Sequence, residues 1–236
     1  MFVKVCGLTR LDDVQAAHTA GADCFGVLFD FPRSPRSVTF EQVGALVEAA
    51  PLPAVLVTVN LTLAQLDEAA LLYPLALQLH GDETPDFVRE LRGLVNCEVW
   101  KVLHVPPGPL KRATVAKLHS SLTDFVHAGS DRVVIDTRLP TATDEKRYGG
   151  TGVPSDWVAL REVVAEARVP VLLTGGLTPA NVATAIELVR PAGVDASSGV
   201  ETAPGVKDPQ SMAGFVTAAR ADRQPRQSRR CDGGIG

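Results

Sequence analysis

Two side chains combine acid–base chemistry with a place where it is useful. Cys6 follows the apolar run FVKV, and Asp136 follows VVI. A thiol, with a reference pKa of ~8.5, takes a proton from carbon once its surroundings favour the thiolate. A carboxyl group at the end of a β-rich run must be solvated, paired or functional. One acid and one base on opposite sides of a shared mouth suit a proton-transfer reaction. A lone cysteine is more often a small buried hydrophobe, so the weight of Cys6 comes from its company. That company includes two glycine-rich segments, LTGGLTP with Gly175 and Gly176, and SSGVE with Ser197, Ser198 and Gly199. Such backbones let amides approach a phosphate; serving only tight turns is the plainer alternative. Arg36, beyond Pro35, offers a two-pronged bond to a carboxylate or is a solvated charge. His80 ends LQL and either faces the same mouth or is structural. A thiol protease would need a base aimed at the cysteine, and His18, His80, His104, His119 and His127 carry no signature of one.

These residues share one property: each follows a β-rich run. Such runs are expected at Phe2–Val5, Cys24–Leu28, Ala54–Val59, Leu75–Leu79, Glu98–Val102, Arg132–Ile135, Val171–Leu173 and Gly193–Ala196. Their apolar character is too continuous for a half-exposed antiparallel sheet. Between them, segments such as Leu11–Thr19, Glu41–Ala50, Leu63–Leu72, Pro85–Leu94, Pro179–Val189 and Pro209–Ala221 alternate apolar and polar residues at helical spacing. Thr62 and Thr84 stand where N-caps belong. Strand–helix units repeated through residues 1–222 predict a single-domain α/β chain, a (β/α)₈ TIM barrel, whose active site lies at the C-terminal ends of its strands. An open doubly wound sheet is the competing fold. No GxGxxG follows an expected strand, and GGTGVPSD lacks the Lys-Ser/Thr ending of a P-loop. Residues 223–236 have almost no apolar content and read as a flexible basic tail.

Composition narrows the partners. Among 236 residues, 23 Lys+Arg against 27 Asp+Glu give a net charge of −4, which disfavours nucleic acid and anionic membrane as partners. No stretch approaches the ~18 apolar residues of a membrane span, and the start MFVKVCGLTR lacks a secretory pattern, so a cytoplasmic location is expected. The four cysteines have no CxxC pair or metal-ligand spacing, which favours reduced thiols and no metal site. The expected partner is a small molecule, with the chain a monomer or homodimer.

Taken in order, VKVCGLT, GVLFDFPRSPRSVT, LQLHGDE, VVIDT, YGGTG, LLTGGLTPANV and VDASSGVETAPGVKD resemble the phosphoribosylanthranilate isomerase family, from Val3 to about Phe215. The resemblance implies a (β/α)₈ enzyme of tryptophan biosynthesis that performs an Amadori rearrangement of a phosphosugar without metal or organic cofactor. By position it implies Asp136 as the acid that opens the ring and Cys6 as the base at C2′. It also implies Arg36 near the anthranilate carboxylate, and Gly175, Gly176, Ser197, Ser198 and Gly199 at the phosphate, with Asp195 and the GGTG loop close by. The chain departs from the pattern in a longer segment, TRLPTATDEKR, after Asp136. It also departs at Ser155-Asp156-Trp157, where an aromatic residue is usual, and at Thr58, where a larger apolar residue is common. Two other functions compete: an isomerase of the same chemistry acting on another aminoaldose, and a phosphosugar-binding barrel without turnover.

Overall fold

The computed structural model describes residues 1–137 and 155–221. Most of the long segment after Asp136, the GGTG motif and the C-terminal tail lie outside the described residues.

The chain alternates strand and helix. It begins β1 (Phe2–Cys6), α1 (Leu11–Ala20), β2 (Cys24–Phe29), a two-residue β3 (Ser37–Val38), α2 (Phe40–Ala49), β4 (Ala54–Thr58), α3 (Leu63–Ala70), β5 (Ala76–Leu79) and α4 (Pro85–Arg92). It continues with β6 (Glu98–Val105), α5 (Arg112–His127), β7 (Arg132–Thr137), α6 (Trp157–Ala165), β8 (Val171–Leu173), α7 (Val182–Val189) and β9 (Gly193–Ala196). A small hairpin, β10 (Glu201–Ala203) and β11 (Val206–Lys207), precedes α8 (Pro209–Arg220). The parallel strands run in the order β1-β9-β8-β7-β6-β5-β4-β2, with β3 beside β2, and the pairing of β1 with β2 closes the ring. The closed barrel follows from strands buried on both faces: β4 and β5 are buried at every position. An open sheet would have left two edges unpaired.

Side chains of each strand alternate between two environments. Val5, Val27, Leu56, Ile135 and Leu173 join Leu66, Leu160 and Phe215 of the helices in the outer core. Cys24, Val55, Ala76, Trp100, Val134 and Leu172 form a second, smaller cluster that fills the base of the barrel. Among the described residues, no helix is long and apolar enough to cross a membrane.

The helices start where local chemistry dictates. Thr39 and Thr62 close capping boxes with Gln42 and Gln65. Thr84 accepts from the Phe87 amide, with Pro85 in the first turn. Among the helices, expected boundaries shift most at α7, which begins at Val182 instead of Pro179. The cause is a turn: Asn181 accepts from the Thr178 amide at 2.8 Å and donates to the Gly176 carbonyl at 2.9 Å. Strands β1, β6 and β7 run further than expected, so Asp136 lies within β7 and Cys6 is the last residue of β1.

Candidate active site

At the C-terminal ends of the strands lies a pocket partly open to solvent, where barrels of this type place their sites. Its wall includes every site residue anticipated from the sequence: Cys6, Arg36, His80, Asp136, Gly175, Gly176, Asp195, Ser197, Ser198 and Gly199.

Cys6 is set by its strand partner. It pairs in register with Gly26 of β2. A Cβ at Gly26 would lie 2.6 Å from Cys6 Sγ and 2.9 Å from Lys4 Nζ, so the missing side chain is what admits both groups. Lys4 in turn donates to Asp195 Oδ2 at 2.8 Å, a register pair across β1 and β9 with both side chains almost fully buried. Burial pushes the Cys6 thiol above its ordinary value, and the Lys4 ammonium pulls against that rise. Removing one partner of such a buried pair leaves an uncompensated charge, so Lys4 and Asp195 hold each other under the thiol.

Asp136 is bracketed by imidazoles. Its Oδ2 lies 3.4 Å from His80 Nε2 and 3.6 Å from His104 Nδ1. Burial alone would raise the carboxyl pKa, but the two rings override it and hold the group at about 2. Burial pushes His80 down. His104 Nε2 donates to the His80 carbonyl at 3.1 Å, which turns Nδ1 toward the carboxylate. These three residues are also the group, among the described residues, whose ligand atoms come within 4.8 Å of one another and so could hold a metal ion.

The glycine loops are close-packed. Gly175 and Gly176 have φ of 88° and 68°, the left-handed region that favours glycine. A Cβ at Gly175 would meet the Thr137 amide nitrogen at 2.5 Å, and one at Gly199 would meet the Leu177 carbonyl oxygen at 1.8 Å. Neither of these two positions tolerates a side chain, and both loops line the pocket.

Arg36 reaches the rim from the loop after β2 and is already paired. It donates from Nε and Nη2 to the two oxygens of Glu201, at 2.8 and 2.6 Å. Glu201 also accepts from Lys207 Nζ at 2.7 Å.

Sequence reasoning missed Lys4, Gly26, His104 and Glu201 as parts of this arrangement. Alternation along β1 put Lys4 on the same face as Cys6, and that was the one available signal. The remaining departures lie elsewhere. Thr58 is buried in β4, and the neighbouring wall of the pocket is made by Val57 and Val59. Trp157 opens α6, and Asp156 caps it by accepting from the Ala159 amide.

A closed parallel barrel with an acid, a thiol and two glycine loops around one mouth defines a (β/α)₈ barrel of the small-molecule-binding type. The profile described as N-(5'phosphoribosyl)anthranilate (PRA) isomerase matches residues 3–218. The chain belongs to this family. An N-(5'-phosphoribosyl)anthranilate isomerase of Rhodopseudomonas palustris (strain HaA2) is 42% identical over 225 residues, covering 94% of this chain and 97% of that protein. The crystal structure of phosphoribosyl anthranilate isomerase from Thermotoga maritima superposes with a TM-score of 0.78 at 30% identity, covering 93% of this chain and 98% of that one. Another similar structure is that of a phosphoribosyl anthranilate isomerase in complex with reduced 1-(o-carboxyphenylamino)-1-deoxyribulose 5-phosphate. It has a TM-score of 0.75 and 28% identity over 93% of this chain and 98% of that chain.

Proposed function

We propose that the chain converts N-(5′-phosphoribosyl)anthranilate into 1-(2-carboxyphenylamino)-1-deoxyribulose 5-phosphate, an isomerisation step of tryptophan biosynthesis. The observation that carries this reading is the presence of Cys6 and Asp136 in one pocket with the two glycine loops. The loops after the last two barrel strands are where such folds hold phosphate, and on that ground the sugar's 5′ end is assigned to Gly175, Gly176, Ser197, Ser198 and Gly199.

The chemistry proceeds by two proton transfers. Asp136 gives a proton to the furanose ring oxygen, the C1′–O bond breaks, and the nitrogen lone pair forms a C1′=N iminium. The Cys6 thiolate then removes the C2′ proton, and the electron pair left behind forms C1′=C2′ while the iminium π pair returns to nitrogen. The resulting enolamine takes a proton at C1′ and loses one from the C2′ hydroxyl, which leaves the ketone and an unchanged atom count.

An acid whose carboxyl is held at about 2 in the free pocket is ionised at neutral pH and must be reloaded. His80 Nε2 at 3.4 Å and His104 Nδ1 at 3.6 Å from Oδ2 orient the carboxyl for that transfer, and the proton it delivers is taken up with the substrate bound. On the basic side, Lys4 lowers the cost of forming the thiolate, although burial still outweighs it and the resting group is the thiol. Positioned groups of this kind contribute ~10²–10⁴-fold each.

The test is turnover of freshly made N-(5′-phosphoribosyl)anthranilate by the purified chain, with the product identified by mass and proton spectra. Formation of the aminodeoxyribulose phosphate supports the reading. Binding without product would make the chain a phosphosugar-binding barrel and overturn it.

A further inference from the structure

Arg36 presents two edges. A guanidinium carries five N–H donors in a planar fork, and Glu201 occupies the Nε edge, taking one bond from Nε at 2.8 Å and one from Nη2 at 2.6 Å. The outer edge, formed by Nη1 and the second Nη2 hydrogen, keeps its donors in the same plane. A second carboxylate bonds end-on there while the first stays side-on.

Glu201 is well placed to hold that orientation. Its side chain is 4% exposed against 18% for Arg36, so the carboxylate lies behind the guanidinium and the arginine meets the pocket. Lys207, with a fully buried side chain, donates to Glu201 at 2.7 Å and to the Ser197 carbonyl at 3.1 Å, tying the carboxylate to the loop after β9. Below, Gly7 leaves space for the arginine stem: a Cβ there would lie 2.7 Å from Arg36 Cδ. Two cations and one anion leave a single positive charge at the rim, enough to receive a monoanion. The neighbouring wall is apolar, formed by Leu28, Phe31 and Val57, as an aromatic ring would require.

We infer that Glu201 is a positioning residue that sets the pocket's preference for arylamine substrates bearing a carboxylate, by clamping Arg36 so that its outer N–H pair faces the ring substituent. The inference rests on the isomerase reading above and on Arg36 as the carboxylate partner that the resemblance implies; what it adds is the role of Glu201.

The experiment compares Glu201→Gln with the unaltered protein on two substrates made in situ from ribose 5-phosphate, one with anthranilate and one with aniline. Glutamine keeps the size and an acceptor for Lys207 but removes the charge. The expected result is a KM for the anthranilate compound raised by roughly tenfold, equivalent to about 1.4 kcal/mol. The kcat should stay within about twofold, and the aniline compound should be unaffected. Selectivity in kcat/KM between the two then falls by the same factor. Glu201→Asp, which keeps the charge but reaches one nitrogen fewer, is the second variant and should lose selectivity to a smaller extent. An unchanged or lower KM for the anthranilate compound would overturn the inference. An equal loss on both substrates would also overturn it and assign the Arg36 corner to the phosphate or to packing. Failure of the unaltered protein to isomerise either compound would overturn the functional reading instead.

Discussion

Gly26 carries the sharpest consequence of the site's geometry. It is a β2 residue with no catalytic group, yet Gly26→Ala would put a methyl 2.6 Å from Cys6 Sγ. Ordinary van der Waals contact begins at 3.4 Å, so the thiol must retreat by roughly 0.8 Å, the difference of the two distances. Lys4 Nζ, 2.9 Å from the same point, must also move, although it is tied to Asp195 at 2.8 Å. Misplacing a reacting group by ~1 Å costs about 10²-fold, so kcat should fall by around that factor. Overpacking a buried site costs ~1–3 kcal/mol, and at ~2–4 °C per kcal/mol for a chain of this size the Tm should fall by about 2–12 °C. The assay is the loss of the anthranilate substrate's fluorescence under saturating substrate, with thermal unfolding measured on the same preparation. A Gly26→Ala protein that stays folded with kcat within about twofold of the original would refute the idea that this glycine fixes the thiol.

Three further outcomes follow from named contacts. Glu83→Ala should lower the Tm steeply, because Glu83 bonds the buried Lys101 at 2.6 Å and breaking a buried pair costs ~3–5 kcal/mol; a shift under a few degrees in thermal unfolding would contradict that. Burial raises the Cys6 thiol despite the opposing Lys4, so its iodoacetamide alkylation, followed by peptide mass, should still be climbing above the ordinary thiol value of ~8.5, and a plateau below it would contradict the burial effect. Stability should be lost in acid. The Asp136 carboxyl drops from 3.8 to about 2 on folding, and Glu201 is also lowered, its burial outweighed by Arg36 and Lys207. Depressed carboxyls stabilise fully above their unfolded values and lose that contribution as pH falls through the folded ones. The urea midpoint should therefore decline between about pH 4 and pH 2, and a flat midpoint across that window would contradict the pairing.

How much of this was legible in the sequence depended on the range of the interaction. Strands were readable because residues buried on both faces give continuous apolar runs, and β8 and β9 have the expected limits. The residues of the pocket wall were readable because a closed barrel gathers strand ends into one mouth, which made position alone a filter for Cys6, Asp136 and the glycine loops. What stayed hidden depends on partners distant along the chain. Lys4 and Asp195 are 191 residues apart, and Arg36 and Glu201 are 165 apart. The turn at Asn181 delayed α7 because its amide bonds the glycine loop, a competition that helical spacing does not register. His104 was hidden for a simpler reason: β6 extends to Val105, past the expected end at Val102, and carries the ring to the pocket rim.

In the proposed mechanism, one thiol and one carboxyl divide the proton transfers between them. Turnover of N-(5′-phosphoribosyl)anthranilate by Cys6→Ala and Asp136→Asn, each verified as folded by circular dichroism, tests it most directly. Each variant should lose about 10²–10⁴-fold in kcat with little change in unfolding temperature. A folded Cys6→Ala protein turning over at the original rate would contradict it.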